Sequence, residues 1–580
     1  MNLQEFSNNG LLLDYNYLKY NYERITEKYG HTPQDILNHL AIQDYQNNKM
    51  ANFKFKLEQS SKIKFHTNSC FNLSFQRYAI YKQNSNFDQL LLSYNYIKLI
   101  FYNTDTYTTQ IIDLFYEIYK ILITIYAEYC DITGTKQELN DIIYKIYKSR
   151  LYEKFTIILI RYKSIFNNER EYISFLKEYI KNLKPPITEN MFNILFTYTS
   201  ILGDELSKEI DMLQRKYIQC HAHVTPFTHL CVHNEKYKNI GFISYEYRNH
   251  PVGYFMYNII NYINKNKYNI YIYSLCPPNE ELDVLKNISN ITWKNVHNFD
   301  SKSIANTIYN DNIDILFDQL QFTMNSKNDI LCYKPSPCII SYLASPISSI
   351  YADYIILDEY LYDNQEYIKE KVLLLPNGIH CNHIQQYPIN TIKTTHKIVH
   401  IGLTCSFYKL NDKMFHMINH ILNENDIILI VRNREYMEGF VKNLFINKID
   451  EHNRHKLNIS FISDVKKFYE MYNNIDILLN THPYGGCTTL YDALYMGTVC
   501  VSLKGHSIQE RYAWSFLNLL NVPELCVDDE IQLYKKINYL CNNPNEIVKY
   551  QNIIKTNIDK HPMANPTLFI KDFEHLIEGL

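Results

Sequence analysis

The stretch 476–511, DILLNTHPYGGCTTLYDALYMGTVCVSLKGHSIQER, decides the fold of the second half of the chain. It is entered through a short apolar run, Ile475–Leu479, which is typical of a buried strand. A loop over 481–487 contains two adjacent glycines, and a helical segment over 488–496 and a second apolar strand, Val499–Leu503, follow it. This order predicts a βα unit of a parallel sheet, in which a helix begins directly after a glycine-containing loop.

The loop and helix start have the chemistry of an anion site. Gly485 and Gly486 let the backbone approach a ligand closely. Thr488 and Thr489 place hydroxyls beside unpaired N–H groups, where the helix dipole favours negative charge. Asp492 lies one turn further along the same face, where it can accept hydrogen bonds from sugar hydroxyls. The alternative is an ordinary βα unit with threonine capping, because two adjacent glycines are a weak signal by themselves.

This region resembles the nucleotide-sugar end of the O-linked N-acetylglucosamine transferase family, through PYGGCTTLYDALYMGTVCVSL and ERYAWSFLNLLNVPEL. Members carry a loop, His-Thr-Thr, an aspartate three residues on, a Trp-x-Gly strand entry and a Ser-Arg pair. The matching positions are Thr488, Thr489, Asp492, Gly497 and Arg511. Cys487 stands where the family usually has histidine. The bacterial cytoplasmic protein N-glucosyltransferases are relatives with the same catalytic half.

Composition limits the class of protein. A chain of 580 residues is too long for one core, so three domains are expected. With 46% hydrophobic and 21% charged residues, the chain is globular. The net charge of −3 gives no general attraction to nucleic acid or to an anionic membrane. The 13 cysteines are scattered without a CxxC pair, which predicts free thiols in a reducing compartment.

The sequence predicts a cytoplasmic protein that does not insert into a membrane. The first residues, MNLQEFSNNGLLLDYNYL, have neither the basic region nor the cleavage site of a secretory signal. The most apolar window, Ile111–Cys130, is interrupted by Asp113, Glu117, Lys120 and Glu128, so it predicts an amphipathic helix.

Residues 1–215 are expected to form an all-α domain. Apolar residues recur at helical spacing over 114–125, at Leu114, Ile118, Ile121, Leu122 and Ile125. No 34-residue period stands out, so the domain is either a degenerate helical-repeat array or an unrelated helical fold. The helical domain is also a candidate surface for oligomerisation.

Residues 216–238 are expected to form a linker. Its cysteines and histidines, at 220, 221, 223, 229, 231 and 233, include an H-x3-H pair that suggests a metal site. The C-x2-C half of a zinc pattern is missing, so the prediction is a simple connection without metal.

From residue 239 the pattern alternates strands and helices. The first run, 239–390, has apolar strands near 240–244, 268–275, 313–317, 338–343 and 354–357. The second, 391–580, has strands near 398–403, 427–431, 459–462, 475–479 and 499–503. The expected fold class is therefore α/β, with two tandem Rossmann-like domains (the GT-B layout) after an all-α domain, and ligands at the carboxyl ends of the strands.

Further stretches carry the family resemblance, which extends over roughly 239–576. IGFISYEYRNHP, residues 240–251, is similar to the family's V-G-Y-V-S-x-D-F-x-x-H, and the resemblance places His250 near donor and acceptor. An imidazole is a suitable base near neutral pH, although a histidine before Pro251 also reads as a helix cap. IGLTCSFYKL, residues 401–410, is similar to F-x-N-x-x-K-(I/L), so the resemblance implies that Lys409 stabilises the leaving diphosphate.

A third stretch, DILFD through KPSPCIISYLASP, resembles D-I-L-V-D…R-P-A-P-I-Q-x-x-W-L-G-Y-P. The resemblance places the backbone of Leu343 and Ala344 beside the donor sugar. Other family positions are substituted here. Ala344 replaces glycine, Tyr342 replaces tryptophan, Ser406 replaces glutamine, and family histidines fall at or near Tyr309 and Phe468.

The resemblance implies an inverting, metal-independent transfer of GlcNAc or glucose from a UDP-sugar to a protein Ser/Thr or Asn side chain. Lys409, Thr488 and Thr489 would hold the diphosphate, with Cys487 beside them. Asp492 would hold the ribose, and His250 would orient or deprotonate the acceptor. No cofactor is expected beyond the UDP-sugar donor. The alternatives are an inactive GT-B binding scaffold, which the substituted positions favour, and a GT-B transferase acting on a glycan or a small metabolite.

Overall fold

The computed structural model describes most of the second half of the chain and parts of the first. The described residues are 67–84, 87–103, 109–125, 138, 141–142, 169–184, 186–188, 191–192, 194–195, 202, 207–229, 237–320, 327–343, 351–381, 396–432, 442, 445–460, 462 and 464–580. The chain divides into two units, Met1–Leu151 and Tyr152–Leu580.

The described part of the first unit is helical. Its helices are α1 (Thr67–Asn84), α2 (Phe87–Asn103) and α3 (Thr109–Ile125). The first two pack against each other, and the hydroxyls of Ser74 and Ser93 lie 3.1 Å apart between them. In α3, Leu114, Ile118 and Leu122 are buried, which confirms the predicted apolar face at these three positions. No described helix in the chain combines the length and apolar character that a membrane crossing requires.

Among the described residues of the second unit, helices α4 (Glu169–Asn182) and α5 (Ser207–Cys220) pack together. The Lys216 ammonium lies 2.7–2.8 Å from the carbonyl oxygens of Ile180, Lys181 and Leu183. A cation at the last carbonyls of a helix satisfies groups that have no partner within the helix and opposes the dipole.

A seven-stranded parallel sheet follows, in the order β3-β2-β1-β4-β5-β6-β7. Its strands are β1 (Lys238–Ser244), β2 (Tyr268–Ser274), β3 (Ile291–Asn295), β4 (Ile315–Asp318), β5 (Cys338–Ser341), β6 (Tyr354–Leu357) and β7 (Lys371–Leu374). Ile240 and Phe242 pack in one core and Ile243 in another, because successive side chains of a strand point to opposite faces. Both faces of the sheet are therefore buried, as is usual for parallel sheets.

The helices of this domain are α6 (Pro251–Tyr262), α7 (Asp283–Lys286) and α8 (Ser301–Asn310). Helix α6 begins directly after the loop that leaves β1, and His250 is its N-cap residue. Asp300 caps α8 by accepting a hydrogen bond from the Ser303 amide at 2.9 Å. Side-chain acceptors at helix starts satisfy amides that have no partner within the helix.

The second domain is a six-stranded parallel sheet in the order β10-β9-β8-β11-β12-β13. Its strands are β8 (Val399–Leu403), β9 (Ile427–Arg432), β10 (Leu457–Ser460), β11 (Ile477–Leu479), β12 (Val499–Leu503) and β13 (Cys526–Val527). Its helices are α9 (Asp412–Glu424), α10 (Val465–Met471), α11 (Thr488–Tyr495), α12 (Ile508–Leu519), α13 (Glu530–Asn542), α14 (Pro544–Ile558) and α15 (Pro566–Glu578). The predicted α/β fold with two tandem Rossmann-like domains is confirmed, and strands β3, β7 and β13 are additions that the sequence did not predict.

Two helices of the second domain also pack against the first. Phe569, Phe573 and Ile577 of α15 lie in the same buried cluster as the residues of the first sheet. Helix α12 is tied to the loop after β6, because Ser515 Oγ donates to Asp358 Oδ2 at 2.8 Å. Arg511 Nε donates to the Tyr360 carbonyl at 2.7 Å, and its Nη1 to Asp363 at 2.9 Å. Arg511, which matched the family pattern, thus joins the two domains.

Candidate active site at the carboxyl ends of the two sheets

The loop that leaves β11 is fixed by its own polar groups. Asn480 Oδ1 accepts the Gly486 amide at 2.8 Å, and Asn480 Nδ2 donates to Ser502 Oγ at 3.0 Å. The Gly485 amide donates to the Gln509 carbonyl at 3.1 Å. A Cβ on Gly485 would lie 2.9 Å from that carbonyl oxygen, so this position has no room for a side chain. The loop backbone is therefore held in one position beside the helix that follows.

Lys409 lies against this loop, as the sequence predicted. It ends a short 3-10 turn, Phe407–Lys409, that follows strand β8. Its ammonium donates to the Gly485 carbonyl at 3.2 Å and lies 4.4 Å from the centroid of the Tyr484 ring. Strands β8 and β11 are neighbours in the sheet, so the residues after them meet at the same edge. The structure thus brings Lys409 and the glycine loop together.

Thr488 and Thr489 begin helix α11. The side chain of the preceding residue, Cys487, does not cap the helix. The amides of a first helical turn have no partner within the helix, so this helix start is a donor surface for an anion. The Tyr472 hydroxyl donates to the Thr489 carbonyl at 3.0 Å and so holds the first turn of α11 in place.

Asp492 lies one turn further along α11 and is only 4% exposed. Burial raises its pKa to about 7, and a hydrogen bond from the Tyr469 hydroxyl, 3.2 Å from Oδ1, opposes that rise. The Asp492 carboxyl is therefore protonated in mildly acidic solution and ionised above about pH 7. The sequence predicted the position of Asp492 but gave no sign of Tyr469.

Cys487 contacts the first domain. Its Sγ lies 3.3 Å from Nε2 of His380, a residue of the segment that follows β7. Burial raises the pKa of the Cys487 thiol to about 12, although the nearby Lys409 ammonium lowers it in part, so the thiol is neutral. His380 is 5% exposed and lies among the rings of Phe255, Tyr512 and Phe516. Burial lowers its pKa to about 3.

These contacts bring the carboxyl ends of the two sheets together. Phe255 belongs to α6 of the first domain, whereas Tyr512 and Cys487 belong to the second. The imidazole of His380 touches all three residues. The sequence analysis missed His380, because nothing in the local pattern of residues 378–381 shows which residue a side chain will meet across the two domains.

His250 lies at the carboxyl end of the first sheet, between β1 and α6. Its Nδ1 accepts the Val252 amide at 3.4 Å, so it is the helix cap that the sequence allowed. The same Nδ1 lies 3.6 Å from Oε2 of Glu246, a buried carboxyl that Arg248 also contacts at 2.9 Å. Burial, and then the Arg248 guanidinium, lower the pKa of His250 to about 4. The ring is neutral near pH 7.

Leu343 lies two residues after the end of β5 and has a left-handed backbone, with φ of 63°. A non-glycine residue in this region costs about 1–2 kcal/mol, and such strain is concentrated at functional sites. Tyr342, immediately before it, is buried and donates to the Ile379 carbonyl at 2.7 Å. Ala344, the other residue expected beside the donor sugar, lies outside the described residues.

The substituted family positions have structural partners of their own. The Tyr309 hydroxyl donates to the Thr228 carbonyl at 2.9 Å, and its ring lies 4.8 Å from that of Phe227. Phe468 packs edge-on against Tyr469 and Tyr472. Ser406 immediately precedes the 3-10 turn that carries Lys409. The Ser406 carbonyl accepts a hydrogen bond from the Lys409 amide at 3.1 Å.

Two of the linker histidines have partners elsewhere in the described part of the chain. His221 Nδ1 lies 3.0 Å from the Tyr351 hydroxyl, and His229 Nε2 lies 2.8 Å from the Lys334 carbonyl. Cys231 and His233 lie outside the described residues.

The chain is similar to known glycosyltransferases in sequence and in fold. Residues 207–398 match the model of Glycosyl transferase family 41. The resemblance that the sequence motifs carry is thereby confirmed. The family 41 match runs from the start of helix α5 through the whole first sheet to the residue before β8.

Curated relatives are similar over a larger part of the chain. The "Probable UDP-N-acetylglucosamine--peptide N-acetylglucosaminyltransferase SPINDLY" of Eustoma exaltatum subsp. russellianum is 22% identical over 293 residues, which are 49% of this chain and 32% of that protein. The corresponding protein named SEC, of Arabidopsis thaliana, is 27% identical over 214 residues, which are 35% of this chain and 21% of that protein. The chain therefore aligns with about a third or less of the length of these two relatives.

Among solved structures, an O-GlcNAc transferase mutant from Thermobaculum terrenum is similar to this chain with a TM-score of 0.67. The sequences are 16% identical, and the match covers 88% of this chain and 97% of that one. At this identity the match establishes the shared GT-B fold.

Proposed function

We propose that this chain is an inverting, metal-independent glycosyltransferase that moves GlcNAc or glucose from a UDP-sugar to a protein side chain, Ser/Thr or Asn. The observation that carries the proposal is the meeting of Lys409 with the glycine loop that leads into helix α11. The UDP-N-acetylglucosamine named for the curated relatives supports the choice of donor.

The diphosphate would bind at the start of α11. As the bond between C1 of the sugar and the diphosphate oxygen breaks, negative charge builds on the departing UDP. A lysine ammonium and helix-start amides already in place stabilise that charge without having to reorganise. Lys409, Thr488 and Thr489 are the groups of this chain that the proposal assigns to the task.

The ribose would bind beside Asp492. The carboxylate accepts hydrogen bonds from the two ribose hydroxyls, and the Tyr469 hydroxyl holds it in position. Because burial raises the pKa of Asp492 to about 7, the free enzyme should bind donor better above that pH than below it.

The acceptor would bind on the side of His250. The hydroxyl or amide of the acceptor attacks C1 of the sugar in line. UDP leaves from the opposite face, and the configuration at C1 is inverted. Because Nδ1 of His250 accepts the Val252 amide, the neutral ring carries its proton on Nε2, and this N–H would donate to the acceptor group and orient it for attack. The acceptor proton passes to solvent as the new bond to C1 forms. Glu246 Oε2 lies 3.6 Å from Nδ1 on the other side of the ring.

A peptide-modification assay tests this proposal. The purified protein is incubated with UDP-GlcNAc or UDP-glucose and a peptide library, and mass spectrometry detects added sugars. We expect one of the two sugars on Ser/Thr or Asn of a subset of peptides, and no addition by the Lys409→Ala variant. Lys413→Ala is the matched control, because Lys413 is half-exposed and pairs with Glu530 at 2.9 Å.

A binding scaffold without activity is the second candidate, and one observation favours it. Cys487 is a neutral thiol in contact with His380 at the position where the family usually has histidine. Binding of UDP by the wild-type protein, with no peptide modified and no UDP-sugar hydrolysed, would favour this candidate. Modification of a glycan or small metabolite and of no peptide would favour a transferase with a non-protein acceptor.

A further inference from the structure

Two imidazoles and a carboxylate meet at the edge of the second sheet opposite the candidate active site. His400 is the second residue of β8, and Asp476 immediately precedes β11. His396 stands three residues before β8. One ligand atom from each of the three side chains lies within 4.8 Å of the other two. The amino ends of neighbouring parallel strands thus hold a cluster of nitrogen and oxygen donors.

The distances in the cluster suit a metal ion. His396 Nδ1 lies 3.0 Å from Oδ2 and 3.2 Å from Oδ1 of Asp476. Two ligand atoms that each bind zinc at about 2.1 Å are separated by about 3.0–3.4 Å in octahedral or tetrahedral geometry. An ion can therefore replace the proton between His396 and Asp476 without a large movement of either side chain.

The cluster is held in place by the surrounding backbone. Asp476 is 2% exposed, and its Oδ2 accepts the His400 amide at 2.8 Å. The Asp476 amide donates to the His400 carbonyl at 2.9 Å, so the two strand ends are joined in both directions. Preorganised ligands of this kind lower the cost of binding an ion, because little side-chain freedom remains to be lost.

The two histidines are also oriented. His400 Nδ1 lies 3.0 Å from the Asn474 carbonyl, and an N–H on that atom leaves the lone pair on Nε2. Metal-binding histidines usually donate their other ring N–H to a carbonyl or carboxylate in this way. The rings of His396 and His400 are stacked, with centroids 3.9 Å apart and an interplanar angle of 23°. Because the lone pairs of an imidazole lie in the plane of its ring, one of the two rings turns out of this stack when both nitrogens bind the same ion.

We propose that His396, His400 and Asp476 bind a divalent transition-metal ion, with Zn²⁺ as the best match to two imidazoles and one carboxylate, and with water completing its coordination. The site is structural. It lies at the amino ends of β8 and β11, whereas Lys409 and the glycine loop follow their carboxyl ends, and a five-residue strand is roughly 15 Å long. The ion would fix the beginning of the second domain and take no part in sugar transfer.

Metal titration of the full chain tests the proposal. The untagged, metal-stripped protein is titrated with ZnCl₂ by calorimetry, and with CoCl₂ while the visible absorption of the cobalt ion is followed. His396→Gln and His400→Gln are compared with His452→Gln, a control in which an exposed histidine bonded to Asn423 at 2.8 Å is replaced. The cysteine thiols bind the same amount of zinc in all variants. The difference in bound zinc between wild type and a variant therefore measures binding at the His396–His400–Asp476 cluster.

We expect the wild-type protein and His452→Gln to bind one more equivalent of Zn²⁺ than the other two variants, or to bind it roughly 100-fold more tightly. The wild-type protein should also show a zinc-dependent rise in Tm that His396→Gln and His400→Gln lack. Equal zinc stoichiometry, affinity and Tm shift in all four proteins would overturn the proposal. His396 is a half-buried residue outside any strand, so its replacement leaves the fold intact, and circular dichroism verifies this.

Discussion

Replacement of Asp492 by asparagine should separate the stability of the protein from its donor binding. Burial raises the pKa of Asp492 from 3.8 to about 7. A group whose pKa is higher in the folded than in the unfolded protein stabilises the fold below the unfolded pKa, and that stability is lost as pH rises through the folded pKa. Because one pKa unit is about 1.4 kcal/mol, this carboxyl should lower the free energy of unfolding by about 2 kcal/mol between about pH 5.5 and about pH 8. Asp492→Asn has no ionisable group there and should lack this loss.

The same substitution should weaken donor binding. A hydrogen bond to a charged acceptor contributes about 1.5–3 kcal/mol, so UDP should bind roughly 10- to 100-fold more weakly to Asp492→Asn at pH 8. Urea unfolding at both pH values measures the stability, and calorimetry with UDP measures the affinity. The result would be a variant that is more stable than wild type at pH 8 and binds UDP less well, which is the combination expected for a residue kept for function.

Asp358→Asn is the matched control. Asp358 is 1% exposed, burial raises its pKa to about 6, and its partners are Ser515 and two backbone amides of its own loop. This variant should reduce the pH dependence of stability without changing UDP affinity. Wild-type UDP affinity in Asp492→Asn would refute the ribose assignment, and an unchanged pH dependence of its unfolding would refute the burial argument.

Three further predictions concern the same site. His250→Ala should lower kcat by roughly 100-fold or more with little change in donor KM. Because the pKa of His250 is about 4, protonation of this residue should not lower the wild-type rate near pH 6.5. A fall in rate near pH 6.5 that disappears in His250→Ala would contradict the assignment. Tyr469→Phe removes the bond that lowers the Asp492 pKa, so the pH at which UDP affinity falls should move upward; calorimetry across pH would show no movement if the bond is unimportant. Gly485→Ala places a Cβ 2.9 Å from a backbone oxygen, so it should lower the free energy of unfolding by about 1–3 kcal/mol and weaken UDP binding. Gly497→Ala, at φ 73° with open space around it, should lower the free energy of unfolding by about 1 kcal/mol and leave UDP binding unchanged. Equal UDP affinity in the two glycine variants, measured together with Tm, would show that the loop does not hold the donor.

Much of the site was predictable because parallel strands impose it. Once β8 and β11 are recognised as neighbouring strands, the residues that follow them must meet at one edge of the sheet, and this places Lys409 beside Gly485. Helical periodicity alone puts Asp492 one turn after Thr488.

Other features depend on tertiary contacts that leave no local signal. The His380 imidazole meets Cys487 only because the two domains pack together. Tyr469 is one of 53 tyrosines, so nothing in its neighbourhood marked it as the partner of Asp492. Leucine rarely adopts a left-handed backbone, which is why the conformation of Leu343 was not expected. Strand β13 has only two residues, too few for a strand pattern to show.

The account depends on the assignment of the departing diphosphate to Lys409 and the start of α11. The most direct measurement is the rate of UDP release from the UDP-sugar that supports turnover, compared among wild type, Lys409→Ala and the control Lys413→Ala. We expect Lys409→Ala to lose roughly 100- to 1,000-fold in kcat, the usual effect of removing one charge-stabilising group, with an unchanged Tm. Lys413→Ala should turn over at the wild-type rate. A Lys409→Ala variant that is folded and turns over within a few-fold of wild type would contradict the account.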